Sequence, residues 1–357
     1  MTRPVRAEKR VNLFSDTQTV PTAEMLHAML AADVGDEQRG TDPTVIRLEA
    51  RVAELLGHEA ALFLPSGTMC NAIAIRLHIR PGGDEIILDE FAHPAESEAG
   101  GAAAMSGASM RFLHTATGIF DAAELQAAIR PRDRNMPRSR LVVVEQPTNL
   151  GGGRIWPLER IQAVLDVTRR HGLRAHLDGA RLMNAAVASG IPAAAFAGGF
   201  DTAWIDFAKG LGCPMGAVLA GSAELIEEAW RFKQMWGGAM RQTGYVAAAC
   251  LYALDNNVDR LAEDHENARV LADGLGELDG IEIQPDAVQT NIVVFRVHDA
   301  PRFARLLDLE GVDVLVVDEE RLRAVTYLGL TRRDVEDAVE RARRALAHQR
   351  NELGSVQ

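Results

Sequence analysis

The chain has 357 residues, 47% of them hydrophobic and 25% charged, so it can bury a sizeable core, and its length suggests about two domains. A formal net charge of −12 argues against a nucleic-acid partner, while leaving room for a local basic pocket that takes a small anion. The three cysteines, Cys70, Cys213 and Cys250, are too widely spaced for a metal-ligand pattern and read as reduced thiols of a cytoplasmic protein; no metal site is expected.

Residues 1–25 read as an N-terminal arm: charged, then NLFSDTQTVPT, with little periodicity. Arms of this kind often cross to a neighbouring subunit. Its start lacks the apolar segment of a secretory signal, and no apolar run reaches the roughly 18 residues of a membrane span. A short helix is expected over 23–32, then a turn at Gly40 and Pro43. Val45, Leu48, Val52, Leu55 and Leu56 recur at helical spacing until Gly57. Strand-like runs follow at 60–64, 85–88, 141–145, 174–178, 202–207 and 216–220, separated by helical patterns at 70–79, 122–129, 157–171 and 223–232. Such alternation predicts an α/β domain over 26–250 whose mainly parallel sheet is covered on both faces. Ligands of such sheets bind where strands end and helices begin. The pattern then changes. A long amphipathic helix over 251–275, strands at 291–297, 312–317 and 324–328, and a final helix capped by Thr331 predict a smaller α+β domain over 251–357.

Chemistry concentrates at strand ends. Lys209 closes the run 202–207 inside a turn containing Gly210, Gly212, Pro214 and Gly216. Burial there would lower its pKa and make it a usable amine nucleophile, unless it is a surface lysine following a strand. The chain has only two other lysines: Lys9 in a charged run and Lys233 on an Arg-rich helical stretch. If the protein forms an imine, Lys209 is the candidate. In His176-Leu177-Asp178-Gly179-Ala180-Arg181, period 2 puts His176 and Asp178 on one face. Asp178 at the strand end either keeps a pyridine nitrogen protonated or caps a following helix. Ser66-Gly67-Thr68 opens a helix after a strand, as a phosphate cradle or as an ordinary capped start. His93, after the 85–88 strand, suits stacking on a flat cofactor or acid–base work. Arg181, Arg241 in a glycine-rich loop, and Arg323 are candidate anion ligands or solvated surface.

Together, KGLG at 209–212, HLDGAR at 176–181, PSGT at 65–68, SDT at 15–17 and GGAMRQ at 237–242 occur in the order and spacing of the threonine aldolase family of β-eliminating lyases. The chain resembles that family over about residues 11–346. The resemblance implies a fold-type I, aspartate-aminotransferase-like large domain with pyridoxal 5′-phosphate as cofactor. It implies that Lys209 bonds the cofactor aldehyde, Asp178 pairs with the pyridine nitrogen and His93 stacks on the ring. Ser66, Gly67 and Thr68, with Arg241 from a neighbouring subunit, would hold the phosphate. Ser15, Arg181 and Arg323 would take the substrate α-carboxylate. Family members are dimers or tetramers with active sites at the subunit contact, so a homo-oligomer, here a homotetramer, is expected. The partner is a small amino acid, with neither nucleic acid nor membrane involved.

Three departures from the family pattern stand out. The usual ENTHN is Glu145-Gln146-Pro147-Thr148-Asn149, so Thr148 stands where a histidine would meet the substrate β-hydroxyl. Arg39 stands where tyrosine is usual, which suits an acidic or polar β-substituent. Ala208 replaces the serine before the lysine. The expected activity is cleavage of a β-hydroxy-α-amino acid to glycine and an aldehyde. The alternatives are β-elimination or other Cα chemistry with the same cofactor, a catalytically silent relative that binds it, or a nucleotide-dependent dehydrogenase. Against the last, no G-x-G-x-x-G lies between the first strand and helix.

Overall fold

The computed structural model describes residues 9–354, so residues 1–8 of the expected arm and 355–357 lie outside the described residues. The described residues form two compact units, one from residues 19–261 and one from residues 9–18 together with 262–354. These limits compare with 25/26 and 250/251 expected from the sequence. Val11–Asn12 pairs in parallel with Val312–Asp313, which gathers the first described residues into the C-terminal unit.

The larger unit is built on a seven-stranded sheet. Its spatial order is Ala60–Leu64, Ala217–Gly221, Thr202–Asp206, Arg174–Asp178, Arg138–Glu145, Asp84–Asp89, Ser109–Leu113. Six of these strands run in one direction, five of them joined by parallel pairing. Ala217–Gly221 runs antiparallel to both of its neighbours. The mainly parallel α/β architecture is the one expected. Period 2 decides which residues meet which layer. Phe63, Val142, Leu177, Ile205 and Val218 pack against Val45, Leu48 and Val52 of helix Pro43–Leu56 and Ile161 of helix Leu158–Arg170. Leu62, Leu64, Trp204 and Leu219 face the other way, onto Cys70, Ile73 and Ala74 of helix Gly67–His78 and Ile226 of helix Ala223–Met235. Full burial of one such side chain stabilises by about 1.5–3 kcal/mol. Pro43–Leu56 starts where Asp42 accepts the Thr44 and Val45 N–H groups, and stops at Gly57 with φ +73°. The strand Ser109–Leu113 is unforeseen: it lies at the sheet edge with Phe112 exposed and Arg111 interrupting its apolar run.

Three expectations for the C-terminal part are corrected. The long helix over 251–275 is two helices, Gly244–Asn256 and Leu261–Gly276. Asn256 and Asn257 are weak helix formers, and the Asn257 amide donates to the Leu211 carbonyl at 2.8 Å, which holds the chain out of the helix. The strand over 312–317 divides into Val312–Asp313 and Leu315–Val316, which pair in different sheets. The strand over 324–328 is Arg321–Val325. Asp318 accepts the Glu320 and Arg321 N–H groups in the preceding turn, and Arg321–Val325 then pairs antiparallel with Ile292–Val297. Beyond Val325 the side chains leave the ladder: the Tyr327 hydroxyl donates to the Asn12 carbonyl at 2.9 Å. Thr331 does accept the Asp334 N–H at the start of the final helix, Arg332–Gly354. No helix among the described residues is long and apolar enough to cross a membrane.

Candidate active site

The side of the large sheet that packs on helix Gly67–His78 turns polar at the C-terminal ends of its central strands. Asp178 and Glu145 are direct register partners there, and both are buried. Trp204 and Asp206 occupy alternate positions at the end of the neighbouring strand. Asn71, projecting from Gly67–His78, ties them together. Its Nδ2 donates to Asp178 Oδ2 at 2.7 Å and to Glu98 Oε1 at 2.7 Å. Its Oδ1 accepts from Trp204 Nε1 at 2.8 Å and lies 3.1 Å from His176 Nε2. Asp178 Oδ1 accepts the Ala180 N–H at 3.0 Å. Asp178 caps no helix: the next one runs Leu182–Ser189.

Lys209 is reached from the same face. Its Nζ lies 2.9 Å from Asp206 Oδ2 and 5.8 Å from the Trp204 ring centroid, and 15% of its side chain is exposed. The turn that carries it needs its glycines. Gly212 (φ +78°) donates its N–H to the Lys209 carbonyl at 2.8 Å. Gly216 (φ +113°) presses on Phe63, where a Cβ would come within 2.7 Å of the ring. The Lys209 carbonyl also accepts the Thr19 hydroxyl at 3.0 Å.

His93 begins the one-turn helix His93–Glu96, and its Nδ1 lies 2.8 Å from Glu98 Oε1. Burial opposes the His93 cation, but the Glu98 bond and the charges of Asp178, Glu98 and Glu145 outweigh it, so the imidazole sits above its ordinary value. Glu145 moves further. Burial, then the adjacent Asp178 charge, push its carboxyl up to about 7, against the Asn149 N–H bond at 2.9 Å and the charges of His93 and Arg181.

Ser66 accepts the Met69 N–H and so caps Gly67–His78, placing Gly67 and Thr68 in its first turn. A Cβ on Gly67 would lie 2.2 Å from the Trp204 ring, so only glycine fits there. Arg181 is buried, with Nη1 3.4 Å from Asn149 Oδ1. Thr148 is buried as well, and its hydroxyl oxygen accepts the Arg154 N–H at 3.2 Å. Arg39 is exposed; Arg241 is mostly exposed and pairs with Asp36 at 3.0 Å. Ser15 and Arg323 belong to the other unit. There the Ser15 hydroxyl oxygen accepts the Thr17 N–H at 3.3 Å, and Arg323 Nη2 donates to the Phe14 carbonyl at 3.2 Å.

Five residues of this constellation escape sequence reasoning: Asn71, Glu98, Glu145, Trp204 and Asp206. Asp206 precedes Lys209 by three residues, which is a readable spacing. Asn71 lies inside an apolar helical pattern and carries no local sign of its partners 107 and 133 residues away.

The model of the Beta-eliminating lyase family matches residues 12–298. The probable low-specificity L-threonine aldolase 2 of Arabidopsis thaliana is 39% identical over 336 residues, covering 92% of this chain and 95% of that protein. The low specificity L-threonine aldolase of Escherichia coli (strain K12) is 38% identical over 338 residues, covering 94% and 99%. The solved structure of Leishmania major threonine aldolase shares the fold, with a TM-score of 0.81 at 21% identity over 94% of this chain and 99% of that one.

Proposed function

The chain belongs to the Beta-eliminating lyase family, and on that premise we propose that it is a pyridoxal 5′-phosphate-dependent lyase. Its reaction is cleavage of threonine-like β-hydroxy-α-amino acids to glycine and an aldehyde, the activity for which its low-specificity L-threonine aldolase relatives are named. One observation carries the reading. Lys209 and Asp178 share a face of the sheet and are linked through the Trp204 ring and the Asn71 amide.

The donor set fits the cofactor. Asp178 is a buried carboxylate accepting one hydrogen bond on each oxygen, which leaves lone-pair capacity for a ring N–H. Lys209 brings a primary amine with Asp206 beside it as a proton partner. Ser66, Gly67 and Thr68 offer the opening amides of a helix to a phosphate, with Arg241 supplied by a second copy of the chain. When bound, the cofactor supplies an electron-withdrawing ring conjugated to the substrate Cα.

The remaining work falls to side chains. Asp178 keeps the ring nitrogen protonated. Arg181, with Ser15 and Arg323 on the basis of the family resemblance, takes the α-carboxylate and so sets which Cα bond is cleaved. His93 keeps its Nδ1 proton against Glu98, so Nε2 is the lone pair that receives the β-hydroxyl proton. Thr148 cannot serve as that base: a hydroxyl does not accept a proton near neutral pH. Arg39 favours a polar or acidic β-substituent. A cytoplasmic homotetramer with active sites shared between copies completes the reading. The second reading, β-elimination with the same cofactor, is favoured by Thr148 standing in place of a histidine.

Incubating the purified protein with the cofactor and L-threonine or L-allo-threonine tests both. Glycine with acetaldehyde supports the aldolase and a 2-oxo acid supports elimination. A visible band of bound cofactor that is present in the wild type and absent in Lys209→Ala is expected. A protein that takes up no cofactor refutes the whole assignment.

A further inference from the structure

The strands that carry the site also bury two histidines. His176 is 0% exposed and His78 is 7% exposed, and the reaction described above uses neither. They are joined through one hydroxyl: Thr202 Oγ1 lies 3.0 Å from His78 Nε2 and 2.8 Å from His176 Nδ1. His176 Nε2 lies 3.1 Å from Asn71 Oδ1. A continuous polar chain therefore runs from His78 to the carboxylates of Asp178 and Glu98.

Its direction follows from donor and acceptor chemistry. An indole N–H only donates, so the Asn71 atom that meets Trp204 Nε1 is the oxygen. The amide nitrogen then faces two carboxylate oxygens and gives one proton to each. The reversed amide would set its oxygen between two acceptors and its NH2 against the indole N–H. With Oδ1 an acceptor, His176 Nε2 must carry the proton. Burial, and then the neighbouring His78, hold the His176 pKa down to about 3, so the ring is neutral and its Nδ1 accepts. The Thr202 hydroxyl proton therefore goes to His176, and His78 Nε2 donates to the Thr202 oxygen. Proton donation runs His78 to Thr202 to His176 to Asn71, and ends on Asp178 and Glu98.

We propose that Asn71 is the positioning residue of this site, and that the His78–Thr202–His176 relay locks its amide so that it holds the Asp178 carboxylate and, through Glu98, the His93 imidazole in fixed planes. This rests on the reading of Asp178 as the acid that meets the cofactor ring. Asn71 touches no reacting atom; it acts by orienting the groups that do. All four of its hydrogen-bonding positions are used. A loss of both N–H donors leaves two neighbouring carboxylates without their orienting bonds, and a buried bond to a charged group is among the stronger ones.

The test has two arms. The first is ¹⁵N NMR of the histidine-labelled wild-type protein. His176 is expected neutral, with its proton on Nε2 and none on Nδ1, from about pH 5 to about pH 8. A proton on Nδ1, or on both nitrogens, overturns the relay whether or not cofactor binds. The second arm measures the dissociation constant for pyridoxal 5′-phosphate. Asn71→Leu is expected to weaken it about tenfold or more, and Thr202→Val, which puts a methyl in place of the hydroxyl, by a smaller factor; Thr202→Val keeps its far-UV spectrum, with a lower melting temperature because two buried histidine nitrogens lose their partner. Wild-type uptake together with unchanged affinity in both variants overturns the positioning role. A wild type that takes up no cofactor refutes the proposed function instead, and the tautomer measurement still decides the relay.

Discussion

Glu145→Gln is expected to raise stability in alkali. The substitution keeps the shape of the side chain and an oxygen for the Asn149 N–H, and removes one buried charge next to Asp178. In the folded chain without cofactor, burial and then Asp178 raise this carboxyl from 4.5 to about 7. A carboxyl raised on folding favours the native state fully below the unfolded pKa and loses that contribution as pH climbs through the folded one. Between about pH 5.5 and about pH 8.5, linkage gives a loss of about 2 kcal/mol from this group alone. Glutamine does not titrate, so the variant-minus-wild-type stability difference should grow by about 2 kcal/mol over that interval, with the variant ahead at the alkaline end. Urea unfolding of the two cofactor-free proteins at both pH values measures it, and the subtraction removes titrations common to both. A difference that stays flat, or grows in favour of the wild type, would refute the account of Glu145 as a carboxyl kept neutral by burial and by Asp178.

Gly67→Ala drives a Cβ to 2.2 Å from the buried Trp204 ring, which is itself bonded to Asn71. Overpacking of this kind costs about 1–3 kcal/mol, so a lower melting temperature together with weaker cofactor uptake is expected; an unchanged melting temperature contradicts the geometry. Lys233 is wholly buried and ion-paired with Glu37, whose second oxygen accepts the Met240 N–H at 2.8 Å. Lys233→Met strands the Glu37 charge and should cost about 3–5 kcal/mol, whereas Lys233→Met/Glu37→Gln should recover part of the loss in the same unfolding assay. A double variant no more stable than the single one refutes the pairing argument.

The amino-acid pattern alone determined the alternation of strands and helices in the large unit, because burial on two faces writes a local period into the chain. It also marked the strand ends where the candidate site assembles: Asp178 follows His176 by the two residues that share a face, and Lys209 sits in a glycine-rich turn. Lys233 read as one more residue of an Arg-rich helix, since nothing local distinguishes a buried pair from a solvated one. The break at Asn257 depends on the Leu211 carbonyl, a partner 46 residues distant. Only the tertiary structure selected Asn71, Glu98 and Asp206, and only it turned His176 from a candidate on a strand face into a donor of defined direction. Periodicity records which way a side chain points. What it meets there depends on the folded path of distant segments, and hydrogen-bond polarity, unlike burial, exists only once both partners are in place.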